Sequence, residues 1–105
     1  MSFPRRGEVF WGLGKKKICP FLVVSNDQGN RYSGDVVVIP GTTQKTDMVY
    51  PIEVLVTKGF STPTKFQADS IFTIGKEELG EKITELSLDI MANVNTALQI
   101  ELNLE

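Results

Sequence analysis

The sequence predicts one small domain of the mainly β class, in which short strands form a barrel and a helix follows at the carboxyl end. The chain has 105 residues, a length that suits one hydrophobic core, so residues 1–105 are predicted as a single domain. Short apolar runs alternate with turn-forming residues along most of the chain. From Ser87 onward the apolar spacing changes from that of a strand to that of a helix.

Six strands are predicted before that change. In the first, Val9 and Trp11 lie on one predicted face, and the two glycines Gly12 and Gly14 end the strand. The segment QGNRYSG, residues 28–34, is dense in turn formers and is predicted as a turn, and residues 41–50 are predicted as a polar loop. The predicted strands cover residues 5–14, 20–27, 35–40, 51–59, 65–75 and 81–86.

The C-terminal segment has the pattern of an amphipathic helix. Ser87 suits the N-cap, and Asp89 suits the first turn because a negative charge there favours the helix dipole. One side of the helical wheel is apolar and consists of Ile90, Met91, Val94, Ala97, Leu98 and Leu102.

The composition excludes several kinds of site. The chain has no histidine, so a Ser-His-Asp triad, a histidine-based ribonuclease mechanism and the usual Cys/His zinc sites are excluded. The acidic residues are scattered, and no metal or other cofactor is predicted. No apolar run reaches the length of a membrane span or a signal peptide, so a cytoplasmic protein without a membrane partner is expected.

Basic residues cluster at the ends of the first predicted strand. The net charge is −2, so any nucleic-acid site must be a local basic patch. One interpretation is a site for single-stranded nucleic acid, in which cations bind phosphates and neighbouring aromatic rings stack on bases. The alternative is that these residues lie in solvated loops without a binding role. The cations concerned are Arg5, Arg6, Lys15, Lys16, Lys17 and Arg31, the last of which precedes Tyr32.

Two further features could take part in chemistry. Thr42 and Thr43 directly follow an apolar strand, where a hydroxyl could donate to a phosphate oxygen or simply bond the local backbone. Cys19 is the only cysteine, and the lysines before it would favour its thiolate. Because no histidine can act as its base and a buried strand follows, Cys19 is interpreted as a small core residue.

The order of motifs resembles that of the MazF/PemK family of bacterial toxins, over residues 5–104. The motifs are RRGEVFW, PFLVVSND, NRYSGDVVVIPGTT, YPIEV and ADSIFTIGKEELGEKITELSLDIMANVNTALQIEL. The resemblance implies an SH3-like β-barrel with a C-terminal helix and a homodimer with an RNA groove across its interface. It also implies sequence-specific, metal-independent cleavage of single-stranded RNA to 2′,3′-cyclic phosphate and 5′-hydroxyl ends. A cognate antitoxin, whose disordered tail occupies the groove, is the implied protein partner.

The resemblance implies catalytic roles that this chain fills only in part. Thr42 stands at the family's catalytic threonine, but Cys19 stands where the catalytic arginine precedes the proline, and Phe72 replaces a second arginine. A thiol cannot replace a charged guanidinium with five donors, so Lys17 or Lys16 is predicted to supply the missing charge. The predicted RNA-binding residues are Arg5, Arg6, Lys15, Ser25, Asn26, Arg31, Thr43, Asp69 and Ser70.

Three functions remain open from the sequence. The first, which we expect, is an active endoribonuclease in which a lysine has taken over from the arginine. The second is a weak or inactive homologue that still binds RNA or an antitoxin. The third is a toxin similar to the gyrase-binding CcdB branch of the same fold, acting through its C-terminal helix.

Overall fold

Seven strands and two α-helices make up the part of the chain that the computed structural model describes, residues 2–14 and 16–104. Single 3₁₀ turns occur at Ala68–Ser70 and Lys76–Glu78. The predicted class, a small β-barrel with a C-terminal helix, is confirmed. In chain order the elements are β1 (Glu8–Leu13), β2 (Ile18–Val23), α1 (Asp27–Tyr32), β3 (Asp35–Thr42), β4 (Glu53–Val56), β5 (Thr64–Gln67), β6 (Phe72–Gly75), β7 (Lys82–Glu85) and α2 (Leu88–Glu101).

The strands form one antiparallel sheet that curls into a half-barrel. Its order is β4-β5-β3-β2-β1-β7, and β6 also pairs with β3. The two ends of this path approach each other: a Cβ added at Gly59, just after β4, would lie 2.7 Å from Thr84 Oγ1 in β7. Gly59 has a φ of +93°, which favours glycine, so the close approach and the backbone both require that residue.

The predicted fifth strand, residues 65–75, is wrong as a single strand. β5 pairs with the end of β3 and β6 with its beginning, so both lie along the same edge of β3. Pro40 lies between the two paired stretches and has no N–H to donate to a continuous ladder. The chain instead makes the 3₁₀ turn Ala68–Ser70, which contacts α2.

The predicted turn at residues 28–34 is also wrong, because most of it is helical. Asn26 caps α1 by accepting a hydrogen bond from the Gly29 amide at 2.7 Å. Asparagine and aspartate favour both turns and helix N-caps, so their presence alone does not distinguish the two. The six-residue helix ends at Ser33, whose amide donates to the Gly29 carbonyl.

Both faces of the curled sheet are packed. Inward-facing Val9, Leu22, Ile39 and Phe66 pack against the apolar side of α2, and a second cluster around Phe21 covers the outer face. The helix prediction is confirmed, with Ser87 accepting a hydrogen bond from the Ile90 amide. The predicted stripe is buried through Met91, Val94 and Ala97, but it stops short of Leu102, which is exposed at the last turn.

Membrane-spanning helices were sought within residues 2–14 and 16–104. Neither α1 nor α2 has the length and apolar character that crossing a membrane requires.

The packing predicts opposite effects for two glycine substitutions. A Cβ at Gly12 would lie 2.2 Å from Cδ2 of buried Phe21, whereas a Cβ at Gly34 would have no atom within 4 Å. We expect Gly12→Ala to lower the free energy of unfolding by about 1–3 kcal/mol, the usual cost of overpacking a core. Gly34→Ala is the matched control and should be neutral or stabilising by up to about 1 kcal/mol. Urea denaturation of both variants measures this, and equal stabilities would contradict the packing.

Candidate functional site

A cleft of about 300 Å³ opens where the β1–β2 hairpin, the end of β3 and the segment after β4 come together. We call it the Thr42 cleft. The register Trp11 opposite Pro20 and Gly12 opposite Cys19 forms the hairpin wall. The residues that line it are Trp11, Lys17, Ile18, Cys19, Pro20, Gly41, Thr42, Thr43, Gly59, Phe60, Ser61, Thr62, Thr64 and Ile83.

Four residues singled out in the sequence meet in this cleft: Lys17, Cys19, Thr42 and Thr43. Lys17 and Cys19 belong to the β1–β2 hairpin, whereas Thr42 and Thr43 lie at the end of β3. The two pairs are at least 23 positions apart in the sequence. Sequence alone does not bring such positions together, whereas the pairing of β2 with β3 does. Lys16, exposed in the same hairpin turn, is not among the lining residues.

Thr42 is the last residue of β3, and its hydroxyl serves the local backbone. Its Oγ1 accepts a hydrogen bond from the Gln44 amide at 3.1 Å. A hydroxyl has one donor hydrogen in addition to its acceptor lone pairs, so this contact leaves the hydrogen free to donate into the cleft. The turn role and the binding role considered for this residue are therefore compatible.

Cys19 is half-buried and packs against the outer-face cluster around Phe21. Burial raises the pKa of its thiol, and the charge of Lys17 and a backbone hydrogen bond at Gly14 lower that pKa only in part. The thiol is therefore protonated near neutral pH and is a poor nucleophile. This agrees with the interpretation of Cys19 as a packing residue, while its position on the cleft wall keeps it next to Lys17.

Arg6, Ser25 and Asn26 have structural partners away from the Thr42 cleft. The Arg6 Nε donates to the Val24 carbonyl at 2.9 Å, and its guanidinium also donates to Asn95 of α2. Ser25 Oγ bonds the Asn30 side chain and accepts from the Val37 amide, and Asn26 is the cap of α1. These three side chains stabilise the junction of β2, α1 and β3.

Four more of the predicted RNA-binding residues do not line the Thr42 cleft. Arg5 stacks over the Phe3 ring at 4.6 Å, and Arg31 lies 5.4 Å from the Tyr32 ring. Asp69 and Ser70 belong to the 3₁₀ turn that contacts α2. Lys15 lies outside the described residues. Contact of these five residues with RNA stays a prediction.

The sequence reading missed several cleft residues. Trp11 shares the face of Val9, but it is 43% exposed because that face opens into the cleft beyond Val9. The hydroxyls of Ser61, Thr62 and Thr64 come from the segment STPT, which lies between two predicted strands and was assigned no role. The density of hydroxyl residues in STPT was a usable signal, although nothing in it indicated which strand it would face.

A buried ion pair lies beside the cleft, and the sequence reading missed it too. Lys65 Nζ is 3.3 Å from Glu53 Oε1, and the two side chains are 4% and 7% exposed. Burial would raise the pKa of Glu53, but hydrogen bonds from the Tyr50 amide and Lys65, together with the Lys65 charge, outweigh it. The pKa of Glu53 therefore lies below its usual range, and this carboxylate is ionised at neutral pH.

Metal-ligand clusters were sought in the part of the chain that is described. It has no group of three or more Cys, Asp or Glu side chains placed to bind a metal ion together.

Comparisons with known proteins identify relatives along nearly the whole chain. A family model described as a PemK-like, MazF-like toxin of type II toxin-antitoxin system matches residues 5–102. Endoribonuclease MazF4 of Mycobacterium tuberculosis is 38% identical over an alignment of 109 positions, which covers 99% of this chain and 97% of that protein. Endoribonuclease EndoA of Bacillus subtilis is 34% identical over 110 residues, with 95% of each protein covered.

A solved structure supports the same relationship. It is an endoribonuclease in complex with its cognate antitoxin from a mycobacterial species, and it matches with a TM-score of 0.88 and 34% identity over 97% of both chains. The family resemblance seen in the sequence is confirmed by these matches.

The environment of Cys19 predicts its reactivity. Because only the thiolate is alkylated, the rate of reaction with iodoacetamide should rise with pH to a midpoint above the ordinary thiol value of 9.0. Lys17 lowers this pKa, so Lys17→Met should move the midpoint further upward, while the distant Lys76→Met should not. A midpoint below the ordinary value, or one that ignores Lys17→Met, would contradict the arrangement.

Proposed function

The chain belongs to the PemK-like, MazF-like toxins of type II toxin–antitoxin systems, and we propose that it is an endoribonuclease that cleaves single-stranded RNA in the Thr42 cleft. The observation that carries this proposal is the meeting of Lys17, Thr42 and Thr43 in one cleft. Support also comes from relatives at 34% and 38% identity that are named endoribonucleases. Cleavage is proposed to be sequence-specific and to need no metal.

The proposed reaction is an internal transfer within the RNA. The ribose 2′ oxygen attacks the adjacent phosphorus and loses its proton, and the bond from phosphorus to the 5′ oxygen breaks as that oxygen gains a proton. The products are a 2′,3′-cyclic phosphate and a 5′-hydroxyl. Negative charge builds on the phosphoryl oxygens in the transition state, so the enzyme accelerates the step by placing donors and a cation there.

Two side chains are placed to stabilise that charge. The Thr42 hydroxyl has its hydrogen free to donate, because its oxygen accepts from the Gln44 amide. Lys17 supplies a positive charge beside Cys19, the position of the family's arginine. A lysine acts as a point charge and lacks the two-pronged geometry of a guanidinium, so we expect slower turnover than an arginine would give. Lys16 is the second candidate for this charge.

The proposal also includes two protein partners, a second copy of the chain and an antitoxin. We expect a homodimer, since the β1–β2 hairpin exposes Trp11, Leu13 and Ile18 beside the cleft. We expect inhibition by a cognate antitoxin, in line with the related endoribonuclease solved with its antitoxin. Action in the cytoplasm follows from the proposed RNA substrate.

Removal of the Thr42 hydroxyl tests the proposal. Thr42→Ala should lower the rate of RNA cleavage, assayed in EDTA, by about 10²–10³, the usual cost of losing one donor to a developing oxyanion. Thr96→Ala is the matched control, since its hydroxyl bonds the Ala92 carbonyl on the exposed side of α2. Cleavage unchanged in Thr42→Ala would contradict the assignment. RNA binding without cleavage by the wild type would instead favour the inactive-homologue alternative.

A charge-exchange experiment tests the role of Lys17. Lys17→Met should reduce cleavage severalfold or more, while the distant Lys76→Met should not. Adding Cys19→Arg to Lys17→Met should restore activity, because it returns a cation to the wall of the cleft. If the lysine variant is fully active, or if the arginine restores nothing, the cleft charge does not come from Lys17.

A further inference from the structure

Lys65 is a buried cation that contacts two backbone carbonyls and one carboxylate. It is 3% exposed, and its Nζ donates to the Lys45 carbonyl at 3.0 Å and the Met48 carbonyl at 2.9 Å. Glu53 Oε1 lies 3.3 Å from the same Nζ and forms an ion pair with it. An ammonium has three N–H donors, and two of them are used by the loop carbonyls.

A contribution to stability does not by itself explain why Lys65 is buried with Glu53. Lys65 lies in β5 between Thr42 of β3 and Leu55 of β4. Removing two charges from water costs about as much as their attraction returns, and an apolar pair of similar size is often as stable. What an apolar residue could not do is bind two loop carbonyls.

Those carbonyls belong to the loop of residues 43–52, which joins β3 to β4 directly after Thr42. Its local hydrogen bonds lie at its start, in its middle and at its return: the Gln44 amide donates to Thr42 Oγ1, the Met48 amide donates weakly to the Lys45 carbonyl at 3.3 Å, and the Glu53 amide donates to the Tyr50 carbonyl at 2.8 Å. The Tyr50 hydroxyl also donates to Met48 Sδ at 3.1 Å. At the far end of the loop, the Tyr50 amide donates to Glu53 Oε1, the same oxygen that Lys65 contacts. Lys65 therefore links the carbonyls of Lys45 and Met48 to the return of the loop into β4.

We propose that Lys65 is a positioning residue of the Thr42 cleft. Its ammonium orders the loop of residues 43–52, and the ordered loop keeps the Gln44 amide on Thr42 Oγ1 and the Thr43 side chain at the cleft. Lys65 is not among the residues that line the cleft, so it acts through the loop rather than on the RNA. The effect on catalysis rests on the proposed function, whereas the effect on loop order does not.

The wild-type protein gives the first test. Hydrogen exchange followed by NMR should show the Gln44, Met48 and Tyr50 amides protected, and Lys65→Met should make them exchange faster. Protection absent in the wild type, or unchanged in Lys65→Met, would overturn the proposal. This arm needs no RNA, so it separates failure of the positioning role from failure of the proposed function.

The second test separates positioning from stability. Lys65→Met leaves Glu53 buried without its cation and is expected to lower the melting temperature, so a loss of activity in it alone is ambiguous. The double variant Lys65→Met with Glu53→Leu removes both charges and should recover much of the stability. The two loop carbonyls would still lack their donor.

We expect the double variant to remain folded but to cleave RNA about 10- to 100-fold more slowly, with kcat lowered and KM little changed, as for a misplaced catalytic group. Lys82→Met is the matched control, because it breaks an ion pair with Glu8 between β7 and β1, neither of which contacts Lys65 through strand pairing. Wild-type kcat in the stable double variant would overturn the proposal. Activity that tracks melting temperature across all three variants would do the same.

Discussion

The central strand β3 is the constraint on which the rest of the structure depends. One of its edges pairs with β2, and the other pairs with β6 at its start and β5 at its end. Pro40 has no N–H to donate to a strand on this second edge, so the pairing along the edge is interrupted. The segment that joins β5 to β6 leaves the edge there and forms the 3₁₀ turn Ala68–Ser70. That division directs β5 toward β4 and lets the sheet curl around the inner core.

The curl of the sheet also creates the Thr42 cleft. Inward-facing positions are buried along β1 and β3 until Val9 and Ile39, and beyond them the same faces reach Trp11, Gly41 and Thr43, which line the opening. The cleft is thus the unfilled end of the barrel core. Its walls combine apolar side chains such as Trp11 and Phe60 with the hydroxyls of Thr42, Thr43 and the segment 61–64, and Lys17 lies at its exposed rim.

Two cations flank this opening and have different physical roles. Lys17 lies in the exposed hairpin turn, and a flexible, hydrated ammonium there can approach an anionic substrate. Lys65 is buried against two backbone carbonyls and the Glu53 carboxylate, so its charge is already compensated by Glu53 and by backbone dipoles. Sequence composition counts both residues equally, but only their burial distinguishes a charge available to a ligand from one used by the fold.

The sequence by itself determined the fold class, the C-terminal helix with its Ser87 cap, and the family to which the chain belongs, because periodicity and motif order are local or linear properties. It also pointed to Lys17, Cys19, Thr42 and Thr43 individually. It did not reveal that residues 65–75 divide at the 3₁₀ turn Ala68–Ser70, that Asn26 caps a helix, or that Trp11 faces an opening. The break in residues 65–75, the exposure of Trp11 and the ion pair of Lys65 with Glu53 depend on how strands pair, so only the tertiary structure decided them. The Asn26 cap is a local contact, but it was not distinguished from a turn because asparagine favours both.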